Sequence, residues 1–348
     1  MKKITAILLA AAMTISLTAC GSKSNTDSGS SVSTEVGTAD RNEQKEETVT
    51  ISALNASGEP TDVTVPYDPQ RIAVLDLAAL DILDSLGLGD RVVGSADTAL
   101  DYLKEYTEKE EIANLGTIKE ADMEAVMACE PDVIFIGGRL SASYDALCEI
   151  APVIYLGTDS ELGVVESTRR NVQTIASVFG KESEAEEKFA GFEERIEALQ
   201  KAAEGKTAVV GMATSGSFNI LGNGGRCSLI GVELGFDNLG SEAVVSAGSQ
   251  KGGQGSGNES AHGNESSFEL IVSLNPDYIF VLDRDAAIGT NGAQLAQEMM
   301  ENELIMGTDA YKNGNLIILE NPGVWYTAEG GVTALSMMLE DLEKGVLK

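Results

Sequence analysis

Arg139 and Arg284 occupy matching places in two stretches that share one pattern. In each, a Glu (Glu124 or Glu269) lies seven residues before a Pro-Asp pair, and the Arg follows that Pro by eight. Guanidinium forks at such positions suit planar, anionic oxygens, which they can bind in a bidentate manner. Each copy reads as a helix, a break, and an all-apolar buried strand, Val133–Ile136 in one and Tyr278–Leu282 in the other. The Arg then sits at the carboxyl edge of a parallel sheet, where open α/β sheets hold ligands. The helix runs back along the strand, which brings the Glu at its start toward the same edge. Two lobes of this kind, face to face, form a clamp for an anion, with one Arg on each wall and one Glu on each rim.

The background charge makes the arginines informative. The chain has 348 residues, 24 Lys and Arg against 55 Asp and Glu, and a net charge of −31. Such acidity argues against binding nucleic acid or adsorbing to an anionic membrane surface. The length suffices for two lobes with substantial cores. Only one histidine is present, His262, in a low-complexity segment from Ser241 to Ser266, between two Gly-Asn-Glu-Ser copies. The segment reads as a mobile loop. A single histidine cannot supply the His cluster of a direct Zn²⁺ or Mn²⁺ receptor. No Gly-x-Ser-x-Gly, Ser/His/Asp constellation or Cys ligand spacing points to an enzyme.

The elements that must position these residues follow from periodicity. Val49–Val65 alternates around Ser57-Gly58-Glu59-Pro60 as a hairpin. Buried strands are expected at Ile72–Leu75, Val92–Gly94 and Val153–Leu156, with a helix over Ala78–Leu86. From Val164 to Ala203 the spacing is helical, broken once at Gly180-Lys181. A second βα series starts at Thr207–Gly211 and runs through Leu316–Leu319 to a final helix from about Ala328. The expected fold is α/β, two Rossmann-like lobes with a central ligand cleft joined by a long connecting helix. The lobes span residues 48–163 and 183–348, with the interlobe helix at 164–182. Cys129, Cys148 and Cys227 are odd in number and read as buried structural thiols.

The amino terminus carries a targeting signal. Lys2 and Lys3 precede an apolar run, Ile4–Leu17, too short to span a bilayer comfortably. It ends in Leu17-Thr18-Ala19-Cys20, similar to a bacterial lipobox. That resemblance implies a signal peptide over residues 1–20, with Cys20 lipidated after cleavage, and residues 21–47 as a polar tether.

From about Thr48 onward the chain resembles the iron–siderophore substrate-binding lipoproteins of ABC importers. The branch it resembles most binds catecholate siderophores of the enterobactin-fragment or petrobactin kind. The resemblance rests on Arg71–Leu77, Asn219–Arg226, His262-Gly263, Asn275–Arg284 and Val324-Trp325-Tyr326 taken together. It implies the class III periplasmic-binding-protein fold and a binding protein that is not an enzyme. Arg139, Arg226 and Arg284 would form a basic triad around the iron-bound catecholate oxygens, with Trp325 beside the ligand. His262 and Tyr326 would supply metal ligands where the siderophore offers only four donors; a longer Gly/Ser/Asn loop before His262 than the family's pattern leaves its reach open. Glu124 and Glu269 would dock, one per lobe, on arginines of an ABC permease dimer served by its ATPase. Fe(III) enters only as the siderophore complex, with no intrinsic cofactor. The protein would act as a monomer on the extracytoplasmic face of the cell membrane. Haem or a corrinoid on the same fold is the alternative, with His262 or Tyr326 as axial ligand.

Overall fold

The computed structural model describes residues 47–241, 264–290 and 295–348. The signal segment with Cys20, the tether up to residue 46, and His262 lie outside the described residues. The chain opens with the expected hairpin, β1 (Thr48–Leu54) against β2 (Pro60–Pro66). The first lobe is a parallel five-stranded sheet of β3 (Ile72–Val74), β4 (Val92–Ser95), β5 (Ala113–Asn114), β8 (Val133–Ile136) and β9 (Val153–Tyr155), in the order β5-β4-β3-β8-β9. A small hairpin, β6 (Gly116–Thr117) and β7 (Glu120–Ala121), lies beside it in the chain. The second lobe orders β11 (Ser217–Leu221), β10 (Thr207–Thr214), β13 (Tyr278–Asp283) and β14 (Leu316–Ile318), with β12 (Asp237–Asn238) pairing β10. Strands β8 and β13 are buried, as their unbroken apolar runs require of parallel strands covered on both faces.

The repeated pattern has one structural meaning in both lobes. Glu130 (φ 44°) and Asn275 (φ 42°) take the left-handed conformation immediately before their prolines. A proline disfavours right-handed helical geometry in the residue before it, so the helix stops there. The Asp that follows clasps the start of the neighbouring central strand. Asp132 Oδ2 accepts hydrogen bonds from the amides of Gln70 (2.8 Å) and Arg71 (2.9 Å), just ahead of β3. Asp277 Oδ2 accepts from the Thr207 amide (2.9 Å) at the start of β10. Arg71 completes the first clasp by donating to the carbonyls of Glu130 (3.0 Å) and Cys129 (2.5 Å) at the end of the helix Met123–Ala128. Pro-Asp is thus scaffold, and the Glu and Arg at the two ends of the repeat are left for other work.

Several elements differ from the periodicity reading. The helical region breaks twice: Gly163–Phe179 ends at Gly180 (φ 63°), and Glu182–Phe189 ends before Gly191 (φ 90°), where Phe192–Ala203 begins. Strand β10 returns directly as antiparallel β11, because Ser215 (φ 50°) and Gly216 (φ 72°) make the doubly left-handed two-residue turn that hairpins favour. The last helix starts at Val332, not Ala328, since Pro322–Thr327 forms its own helix and Gly330 (φ 104°) interrupts the chain. Cys148 is exposed, unlike the buried Cys129 and Cys227, and so is not a core thiol.

The final helix, Val332–Val346, packs on Leu77–Ser85 of the first lobe. Its amino terminus has no cap of its own. Asp81, buried on Leu77–Ser85, instead accepts from the amides of Thr333 (2.9 Å) and Ala334 (2.8 Å) and from the Tyr102 hydroxyl (2.8 Å). Asp81→Ala leaves one buried and two half-buried donors without an acceptor and removes a helix cap. The lost cap and the stranded buried donor each cost about 1–2 kcal/mol, so a destabilisation of roughly 2–4 kcal/mol is expected, with Asp81→Asn less affected. Denaturant unfolding curves for the two variants that overlay the wild type would contradict this role.

Candidate functional site

The three arginines converge on one aromatic ring. Arg139 follows β8, Arg226 ends the Gly222-Asn223-Gly224-Gly225 segment, and Arg284 opens a short helix directly after β13. Their guanidinium carbons lie 5.8, 4.2 and 5.5 Å from the centroid of the Tyr326 ring, on Pro322–Thr327. Arg139 reaches across from the first lobe and donates to the Tyr326 carbonyl (2.7 Å). Arg284 Nε donates to the Tyr326 hydroxyl oxygen (3.0 Å), and its Nη1 donates to Thr214 Oγ1 (3.1 Å) at the end of β10. Each cation over a ring face gains about 0.5–2 kcal/mol, and together they fix the ring as a hub.

Local structure explains how these side chains are aimed. Asp283 caps the short helix that carries Arg284, accepting from the Ala286 amide (2.9 Å). Asp285 is buried and accepts from the Ser215 amide in the β10–β11 turn (2.5 Å), which ties the Arg284 segment to that hairpin. Cys227, next to Arg226, holds a left-handed φ of 62°, strain of the kind that persists where surroundings fix a functional loop. Burial pushes the Cys227 thiol far up, so it is an inert neighbour and not a nucleophile. In the first lobe, Asp76 caps Leu77–Ser85 through the Ala79 amide (2.9 Å). A Cβ on Gly137 would come within 2.1 Å of Asp76 Oδ2, so only glycine lets the end of β8 approach that carboxylate.

The electrostatics bear on Tyr326. Burial pulls its phenol upward, but the Arg284 hydrogen bond and the charges of Arg226, Arg284 and Lys119 outweigh burial and leave it below the usual phenol value. A phenol so placed loses its proton more readily to a hard cation. Beside it lies a cavity of about 270 Å³ bordered by both lobes, with Asp76 and Arg139 from one side and Arg226, Trp325, Tyr326 and Glu329 from the other.

The expected site residues do not all sit alike. Arg139, Arg226, Arg284 and Tyr326 come together. Trp325 borders the cavity but is otherwise fully buried, its indole N–H donating to Asp341 (2.9 Å), so it serves as floor. Glu124 and Glu269 are both exposed, but only Glu124 lies at a helix start, as the second residue of Met123–Ala128. Glu269 is the middle residue of Asn264–Leu274, because that helix begins five residues before it. Each also precedes, by three positions on the same helical face, an exposed apolar residue: Met127 (61% exposed) and Val272 (41%). His262 is outside the described residues, and among those residues no cluster of three His, Cys, Asp or Glu side chains could hold a metal. Asp76 and Glu329 were missed by sequence reasoning. Asp76 was legible as an acid just past the buried strand Ile72–Leu75; Glu329 carried no signal beyond its place three residues after Tyr326.

Comparison with known proteins fits this arrangement. Residues 72–322 match the family described as periplasmic binding protein. The chain is 32% identical to the petrobactin-binding protein YclQ of Bacillus subtilis over the full length of both. The crystal structure of YclQ superposes with a TM-score of 0.72 at 30% identity, covering 86% of this chain and 99% of that one. The catecholate-siderophore binding protein VctP of Vibrio cholerae gives 0.72 at 30%, covering 85% and 100%. The ferric-anguibactin-binding protein FatB of Vibrio anguillarum is 27% identical over 80% of this chain and 82% of its own. These relatives are binding proteins and not enzymes. Two α/β lobes with parallel sheets, a bordering cavity and matching residues from β3 onward have one account: the chain belongs to the periplasmic binding protein family.

Proposed function

We propose that this protein is the lipid-anchored substrate-binding component of an ABC importer, and that its cargo is a ferric catecholate siderophore. One observation carries the ligand class: three guanidiniums from two lobes surround one phenol in a protein of net charge −31. A ferric catecholate brings net negative charge on planar oxygens, which arginine forks match, and a hard cation that accepts a phenolate. The name of VctP, a catecholate-siderophore binding protein, supports this class of cargo, while those of YclQ and FatB name petrobactin and ferric anguibactin. The test is titration with ferric complexes of a bis-catecholate and a hydroxamate, and with haem, followed through Trp325. Saturable quenching by the catecholate at the lowest concentration is expected. Preference for haem would replace this reading with the porphyrin one.

Glu124 and Glu269 are the residues for docking on the permease dimer. The same acid at the same place in both lobes suits a partner with two-fold symmetry, and Met127 and Val272 add an apolar contact beside each. Glu124→Ala with Glu269→Ala is expected to leave ligand affinity within twofold while removing most uptake. Normal uptake by the double variant would reduce Glu124 to a helix-start acid and Glu269 to an exposed mid-helix charge.

The anchor rests on Leu17-Thr18-Ala19-Cys20 at the end of an apolar run. Cys20→Ala is expected to abolish lipidation and release the protein from membranes. Identical intact mass and detergent partitioning of variant and wild type would exclude it.

A further inference from the structure

The arginine cluster contains an acid that its ligand class does not explain. Glu329 borders the cavity with Arg139 and Arg226, and its Oε2 is buried without a hydrogen-bond partner. A lone carboxylate there opposes an incoming anion. Arg226 and Arg139 supply its counter-charge, and the Cys227 amide donates to it. A second acid, Glu233, faces it from the turn Leu229–Glu233. Glu233 is engaged elsewhere through Oε1, which accepts from the Val165 amide (2.5 Å) at the start of Gly163–Phe179. Its Oε2 is also buried without a partner and burial raises its carboxyl, which makes it the control.

We propose that Glu329 is the charge-compensating residue of the ligand site, gaining one proton from solvent when an anionic complex takes over the Arg139 and Arg226 guanidiniums. This rests on the reading of the cluster as an anion site. Occupancy removes the two cations that stabilise the carboxylate and adds a negative charge nearby, and both changes favour the neutral acid. Burial above all pushes the Glu329 carboxyl up to about 7, against the pull of Arg226. Binding raises it further. The sign follows: below about pH 7 the acid is protonated in both states and affinity is flat. Above that value binding must draw in a proton, and affinity falls by up to about tenfold per pH unit until the bound-state value is reached.

The probe is the ferric complex of a synthetic tetradentate bis(2,3-dihydroxybenzamide). Calorimetry at pH 7.5–8 in buffers of different ionisation enthalpy gives protons taken up, for wild type, Glu329→Gln and Glu233→Gln. Wild type and Glu233→Gln are expected to take up close to one proton more than Glu329→Gln, whose affinity also falls less between pH 7 and 8.5. The difference between proteins cancels titration of the probe and of Tyr326. Equal uptake in all three, loss of uptake in Glu233→Gln instead, or a uniform weakening in Glu329→Gln with unchanged pH slope would each overturn the proposal. A ligand-free arm separates this from failure of the catecholate reading. Arg226→Ala imitates the loss of counter-charge, so an infrared band of a protonated carboxyl should be present at pH 7.5 and vanish in Arg226→Ala with Glu329→Gln. If the probe does not bind wild type, the catecholate reading falls, and absence of that band would overturn the Glu329 proposal separately.

Discussion

Replacing Arg226 and Arg284 together by alanine is expected to weaken binding of a ferric bis-catecholate by roughly a hundredfold to ten-thousandfold. Each guanidinium donates charge-assisted hydrogen bonds worth about 1.5–3 kcal/mol, and two such losses give about 3–6 kcal/mol. The two arginines meet at one ring, 4.2 and 5.5 Å from its centroid, so their effects are coupled and the single variants need not sum to the double. A second consequence follows from the same residues. Both charges lower the Tyr326 phenol, so the double variant should titrate that phenol at higher pH than wild type. Fluorescence titration and ultraviolet difference spectra read the two effects. An affinity change under tenfold would remove the arginines from the ligand site.

Tyr326→Phe is the cleaner dissection of the proposed iron site. The ring stays, so the Arg226 stack at 4.2 Å is retained, and Arg139 still has the backbone carbonyl to donate to. Only the hydroxyl is lost, together with the Arg284 Nε hydrogen bond at 3.0 Å. A tetradentate ferric complex, with two coordination positions open, should bind by roughly 10- to 100-fold less, the scale of losses when a metal's surroundings are altered. A hexadentate complex, whose iron is saturated, should lose little. The ferric charge-transfer band of the tetradentate complex should also shift in the variant. Equal losses on the two ligand types would place the hydroxyl outside the coordination sphere.

The repeat made much of this legible. Its apolar runs gave β8 and β13, and its Arg positions gave two of the three guanidiniums that reach Tyr326. The clasp by Asp132 and Asp277 was not readable, because a Pro-Asp pair looks the same whether it turns the chain or ties down a neighbouring strand. The break at Gly191 was hidden by the continuous apolar spacing of Phe189, Phe192 and Ile196, which an unbroken helix would also satisfy. Glu329 was invisible for a different reason. Its chemistry comes from burial between Arg226 and Glu233, residues about a hundred positions away in the chain, and no local pattern encodes that proximity. Asp81 is the same case: an acid on a helix became a cap for another helix more than 250 residues later.

The central claim is that the ring of Tyr326, held by three arginines from two lobes, is where a ferric anion sits. The most direct measurement is anomalous diffraction at the iron edge from crystals grown with the ferric bis-catecholate. A single iron peak is expected within bonding distance of the Tyr326 hydroxyl, with catecholate oxygens facing Arg139, Arg226 and Arg284. Iron at another place on the protein, or ligand density in the cleft with Tyr326 and the arginines untouched, would contradict it.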